Sequence, residues 1–205
     1  MPAPIIRIAG YEDAADFHDV MQAAYESLDN KELYICDDYD YVRAILQDKN
    51  AGFGLMCYKD KLDEAMSEYD GKVCAGVLLV TFPGEAGDNL ARDVFCAVKE
   101  NEGKVSNSLF LAEYLFRTAH IESAAVRAEY RGNGIQNRLI EYACDYLSRN
   151  CGNIRYVMAT VSPENIPSLK SFEKAGFKRM LTKEKYDGKL RHILMREING
   201  GGSYG

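Results

Sequence analysis

The chain has 205 residues, of which 47% are hydrophobic and 27% charged, so it is long enough to bury a sizeable core and short enough to predict a single domain. Its formal net charge of -6 argues against nucleic acid as the main partner, because phosphate binding needs a basic face. No apolar run approaches the ~20 residues of a membrane span, and the start MPAPIIRIAGYED has no basic-then-apolar leader, so no membrane partner and a cytoplasmic location are expected. The cysteines, Cys36, Cys57, Cys74, Cys96, Cys144 and Cys151, form no C-x-x-C pair and no zinc spacing, which predicts reduced thiols and no metal.

Ile5 to Ile8 reads as a first strand. Tyr11-Glu12-Asp13 then opens a helix whose buried stripe is Ala14, Phe17, Met21, Ala24 and Leu28. A polar and aromatic stretch leads into a second helix from about Asp38 to Leu46. Gly54 to Tyr58 suits a strand, whereas Leu62 to Tyr69 suits helix or strand equally. Asp70-Gly71 is a hairpin turn signal, and it enters the strong strand Val73 to Phe82. Residues 84–110 read as an irregular insertion or a partly helical loop.

The pattern sharpens from Ala119. His120 to Val126 is a predicted strand, and the next helix runs from Gly134 to about Arg149 with Ile135, Leu139, Ile140, Ala143 and Leu147 on its apolar face. Arg155 to Val161 is a strand. Asn165 to Ala175 is a helix closed by Gly176. Phe177–Leu181 and Leu190–Arg196 are strands of a hairpin turning at Asp187-Gly188, and residues 199–205 are expected to be a flexible tail after a domain spanning 1–198.

Between Val126 and that long helix lies the turn Arg131-Gly132-Asn133-Gly134. Glycines there allow close backbone approach, and the unpaired first N–H groups of the helix form an anion site suited to a pyrophosphate. A P-loop needs G-K-[ST] after such glycines, and Ile135-Gln136 stands there instead. A dinucleotide fold needs a third glycine where Asn137 stands. A glycine-rich turn without a ligand is the plain alternative.

The segment Arg131-Gly132-Asn133-Gly134-Ile135-Gln136 resembles the [QR]-x-x-G-x-[GA] signature of the GNAT superfamily of N-acetyltransferases, departing at Gln136. Asn165, Ser168, Phe172, Gly176 and Phe177 match a second block of that family. The resemblance implies an α/β (α+β) fold with a mixed, bent sheet of six or seven strands, flanked by helices and splayed between its fourth and fifth strands, mapped here to His120–Val126 and Arg155–Val161. It implies acetyl-CoA as co-substrate and transfer of its acetyl group to a primary amine, on a small molecule or a peptide, by direct attack.

The same resemblance distributes roles. The Arg131–Gln136 backbone would hold the pyrophosphate, with Arg131, Gly132, Asn133, Gly134, Ile135 and Gln136 as its residues. Asn165 and Ser168 would line the pantetheine arm. The Val126 backbone N–H would donate to the acyl oxygen. Glu122 is the candidate base, placed on the strand that enters the site and sharing a face with Ala124 by strand alternation. His120 on that face is the reserve. Phe172 occupies the family's general-acid position without a hydroxyl, leaving Ser168 and Tyr156 as neighbours. Tyr34, Asp38 and Asp40 are candidates for the acceptor pocket. A catalytically weak CoA-binding or acyl-CoA-sensing module is the second reading, motivated by Phe172 and Gln136. Acceptor identity, acyl chain length and homodimer formation are left open by the sequence.

Overall fold

A computed structural model describes residues 4–60, 72–101, 108–186 and 188–198. The Leu62–Tyr69 segment, the Asp70-Gly71 turn, Asp187 and the tail lie outside the described residues.

Seven strands form one mixed sheet in the order β1-β2-β3-β4-β5-β7-β6. They are β1 (Ile5–Ala9), β2 (Gly52–Asp60), β3 (Lys72–Thr81), β4 (Thr118–Val126), β5 (Tyr156–Val161), β6 (Lys178–Lys185) and β7 (Lys189–Glu197). Among the described residues, only β4 and β5 pair in parallel. The helices are α1 (Ala14–Glu26), α2 (Tyr39–Gln47), α3 (Leu90–Asn101), α4 (Ser108–Leu115), α5 (Ile135–Asn150) and α6 (Ile166–Lys174).

The sheet is covered on both faces, so its central strands are apolar on both sides. In β3, Val77 and Leu79 pack towards α1 and α2, while Leu78 and Val80 pack towards α5. The predicted stripe of α5 is buried as expected, with Leu139, Ile140, Ala143 and Leu147 fully enclosed. Gly176 takes the left-handed conformation past the end of α6, at φ 82°.

The described residues of the 84–110 stretch hold more regular structure than the sequence suggests. They include α3 and the start of α4, and these helices pack Leu90, Ala91, Val94 and Leu115 against Met158 of β5 and Ile193 of β7. A readable signal was present: Asn89 is the N-terminal cap of α3, accepting the Ala91 N–H at 3.0 Å, and Leu90, Ala91, Val94 and Phe95 follow at helical spacing. Asp93 of α3 is gripped by Lys183 Nζ at 2.6 Å and Lys185 Nζ at 2.9 Å from β6.

Two features of β4 position the site. The first is its partial pairing with β5, which extends only from Thr118–Tyr156 to Ile121–Ala159. Beyond Ile121 the strands part and leave a wedge. The second is a β-bulge against β3. Leu79 faces Ser123 and Val80 faces Ile121, so Glu122 is the extra residue.

Candidate active site

The wedge opens into a cleft of about 760 Å³ whose lining includes Glu122, Val126, Gly134, Thr160, Asn165 and Phe172. Its walls follow from local backbone geometry. Gly132 at φ 78° and Gly134 at φ 71° both take the left-handed region, and a Cβ built on either meets nothing within 4 Å. Gly134 caps α5 without a side-chain hydrogen bond. The first N–H to find an acceptor along α5 is that of Arg138, which donates to Gly134 O at 3.1 Å. The N–H groups of Ile135, Gln136 and Asn137 have no acceptor among the described residues, so the positive helix end is open beside the cleft.

Val126 has matching geometry. The Arg127 N–H donates to Ala75 O on β3 at 3.0 Å. Successive N–H groups along a strand point to opposite edges, so the Val126 N–H faces the edge from which β5 has peeled away.

The bulge corrects one sequence expectation. Glu122 and Ala124 do not share a face. Ile121, Ala124 and Val126 pack with the α5 cluster, whereas Ala125 packs with α1 and α2, so alternation is reset at Glu122. Glu122 instead shares its surroundings with Ser123, near Asp37 and Asp88. Burial, then the charges of Asp37 and Asp88, raise the Glu122 carboxyl to about 7. Thr81 Oγ1 donates weakly to it at 3.5 Å.

The reserve base is otherwise engaged. His120 Nε2 accepts the Leu90 N–H at the start of α3, at 3.1 Å, and is buried. Burial lowers its pKa to about 4, so the ring is neutral and its free lone pair is committed to the helix.

Other predicted site residues divide by what their side chains touch. Arg131 lines the cleft, but its guanidinium turns to the C-terminal end of α1: Nη2 donates to Ser27 Oγ at 2.6 Å and Ala24 O at 3.1 Å, and Nε donates to Val126 O at 3.2 Å. That placement complements the negative helix end. The Asn133 amide closes its own turn on Tyr130 O and Arg131 O. Gln136 and Ser168 both line the cleft and are hydrogen-bonded to each other at 2.9 Å. Asn165 caps α6 by accepting the Ser168 N–H at 3.2 Å, and its amide reaches Leu33 O at 3.3 Å. Phe172 lines the cleft with its ring edge-on to Phe177, 5.0 Å between centroids. Tyr156 stacks with Phe95 and Tyr114 instead of reaching the cleft.

The acceptor-side expectation needs more correction. Tyr34 does line the cleft, and its hydroxyl is buried beside Ser123 with no hydrogen bond of good geometry. Asp38 is the cap of α2, accepting the Tyr41 N–H at 2.8 Å, and Asp40 is exposed in the first turn. The carboxylate turned inwards is Asp37, which accepts from Ser123 Oγ at 2.6 Å. Asp37 was not separable from Asp38 and Asp40 by sequence, because which of several adjacent acids faces inwards depends on the entry angle of α2.

Among the described residues, no group of three or more His, Cys, Asp or Glu is gathered to hold a metal, and no helix is long and apolar enough to cross a membrane. All six cysteines are free.

No curated protein matches the chain. The sequence matches the acetyltransferase (GNAT) family over residues 16–177. The ribosomal-protein-S18-alanine N-acetyltransferase of Escherichia coli is 14% identical, with a TM-score of 0.61 over 98% of each chain. Aminoglycoside acetyltransferase AAC(6')-Ib, in complex with coenzyme A and kanamycin, is 15% identical with a TM-score of 0.60 over 95% of each chain. The NatC complex bound to Gag peptide and CoA is 14% identical, with a TM-score of 0.61 over 97% of this chain and 100% of the other. At these identities the structural likeness speaks for the fold, and the match across residues 16–177 makes the chain a member of the acetyltransferase (GNAT) family.

Proposed function

We propose that this protein is, across residues 1–198, one acyltransferase domain that moves an acetyl group from acetyl-CoA to a primary amine. The observation that carries the reading is the open N-terminus of α5 beside the β4–β5 wedge, with Glu122 in the same cleft. Orphan N–H donors and two side-chain-free glycines fit a pyrophosphate, which needs close backbone approach and positive potential. Gly132, Gly134, Ile135 and Gln136 would hold it, and Asn165 and Ser168 would face the arm that follows. The bound co-substrate supplies an activated thioester.

The chain's residues then have three tasks. An alkylammonium has a pKa near ~10.4 and cannot attack until it loses a proton. Glu122, raised to about 7, is half ionised at neutral pH and takes that proton. The nitrogen forms the amide bond as the carbon–sulfur bond breaks, and the Val126 N–H stabilises the charge that develops on the acyl oxygen. The departing thiolate, with a pKa near ~8.5, tolerates leaving unassisted, and it takes up through water the second proton that the nitrogen sheds as the amide forms. Phe172 has none to give.

Phe172 also favours a second reading, a module that binds acyl-CoA without efficient turnover. Steady-state thiol release from acetyl-CoA with a panel of primary amines decides between them. Amine-dependent release that Glu122→Gln abolishes is expected. A CoA-induced rise in melting temperature with no amine-dependent release overturns the enzymatic reading in favour of the sensor. No rise and no release overturns both.

A further inference from the structure

Glu122, which lines the cleft, feels negative charge from two other stretches of the chain. Glu122 comes from the β4 bulge, Asp37 from the segment before α2, and Asp88 from the segment before α3. Asp37 and Asp88 lie close enough to act on Glu122, and Ser123, next to Glu122, holds Asp37 at 2.6 Å.

No protein cation answers these three carboxylates with an ion pair among the described residues. The nearby cations are engaged elsewhere. Lys185 is held on Asp93 at 2.9 Å. Arg191, buried under Tyr186, donates to Glu32 O at 2.7 Å and Leu190 O at 3.1 Å. His18 Nε2 sits 3.2 Å from the Asp37 carbonyl oxygen, not its carboxylate.

An independent feature marks the same place. Tyr34 lines the cleft, and its buried hydroxyl, beside Ser123 and near Asp37, makes no hydrogen bond of good geometry. A buried hydroxyl without a well-made hydrogen bond is uncommon and asks for a partner. Tyr41 and Tyr186 lie within electrostatic reach of Glu122 and Asp37, and Tyr186 is held in the left-handed region at φ 49° with its hydroxyl 3.1 Å from Thr160 Oγ1.

One cation cannot answer all of this charge. The amine that attacks must give its proton to Glu122, and both groups are then neutral. Asp37 stands beside them, and burial pushes its carboxyl up, so its ionised form is costly without a compensating charge. Only a second centre that stays protonated through the reaction compensates it. We propose that the acceptor is a diammonium compound, with its reacting amine at Glu122 and its second ammonium held by Asp37 and the Tyr34 hydroxyl. This rests on the acyl-transfer reading of the cleft and narrows its acceptor.

The test compares α,ω-diamines of three to five carbons with amino alcohols of matching length, and with 4-aminobutanoate, by thiol release from acetyl-CoA. The second charge should raise kcat/KM about tenfold or more over the amino alcohol, and 4-aminobutanoate should be poorest. Asp37→Asn should bring diamine and amino alcohol within about threefold of each other while CoA still raises the melting temperature. Equal use of diamine and amino alcohol by the wild type overturns the proposal and leaves acyl transfer standing, whether or not Asp37→Asn folds. If no amine supports thiol release, the reaction reading fails separately. Stabilisation of the CoA-loaded protein by 1,4-diaminobutane and not by 4-amino-1-butanol then supports the cation site, and its absence overturns it.

Discussion

The Gln136 side-chain amide donates to Ser168 Oγ at 2.9 Å, joining the first turn of α5 to the first turn of α6 across the cleft. The family signature has glycine or alanine where Gln136 stands, so this chain has added a strap between two walls of the proposed co-substrate cleft. The orphan donors at the start of α5 are backbone groups, and they do not need the amide. Gln136→Ala should therefore cost about 1 kcal/mol of stability, a fall of roughly 2–4 °C in melting temperature, through the lost hydrogen bond. CoA affinity should stay within about threefold, measured by calorimetric titration. A loss beyond about tenfold would mean that the amide itself grips the ligand.

Glu122 gives a pH prediction with two opposite signs. As a base it works ionised, so kcat/KM should rise about tenfold per pH unit below about 7 and level off above. Glu122→Gln should remove the inflection and lower kcat by about 10²–10⁴-fold with CoA binding intact. For stability, a carboxyl raised in the folded state favours folding when protonated, and ionisation as pH rises through 7 works against the fold. Glu122→Gln should thus melt higher than wild type above pH 7, by up to about 2–3 kcal/mol, with the gain fading towards pH 4.5. A variant less stable than wild type at pH 8 would show that Glu122 is paired, not poised.

The glycine turn can be tested with its strain controlled. Gly134 at φ 71° and Gly188 at φ 86° are both left-handed, with open space where a Cβ would stand. A valine at either position should cost about 1–2 kcal/mol for conformation alone. Only Gly134→Val places its branches where phosphates approach the α5 N-terminus. CoA should stabilise Gly188→Val as it does the wild type and should no longer stabilise Gly134→Val. Equal responses of the two variants would remove the α5 terminus from the binding site.

Much of this site was legible in the sequence because it is built from local rules. Gly134 before an amphipathic stripe, Asn165 three residues before Ser168, and Gly176 after a helical run each specify a helix end within a few residues, and all three stand where the pattern puts them. Non-local geometry was not legible. The bulge at Glu122 depends on how β3 aligns with β4, and strict alternation gave Ala124 the wrong face. Asp37, Asp38 and Asp40 look alike in sequence, yet one turns inwards to Ser123, one caps α2 and one meets solvent. Asn89 before α3 is the exception, a local cap signal masked by the polar residues around it.

His120 completes the set, because its geometry makes it structural where its position on β4 suggested catalysis. Its Nε2 accepts the Leu90 N–H within a buried setting, which satisfies one of the orphan donors at the start of α3. Protonation would remove that acceptor and bury an imidazolium, and the pKa is accordingly lowered to about 4. In the unfolded chain the ring titrates near ~6.5. The unfolded state therefore binds a proton that the folded state refuses as pH falls from about 6.5 to 4, and stability drops across that window by up to about 3 kcal/mol. His120→Gln keeps an acceptor within reach of Leu90 and has no proton to gain. Its melting temperature should fall less steeply between pH 6.5 and 4 than that of the wild type. At neutral pH its kcat should stay within about threefold, in contrast to the collapse expected of Glu122→Gln. Parallel melting curves and thiol-release rates check both statements. An unchanged acid slope would place the titrating group elsewhere, and a kcat loss as deep as that of Glu122→Gln would return His120 to the catalytic apparatus.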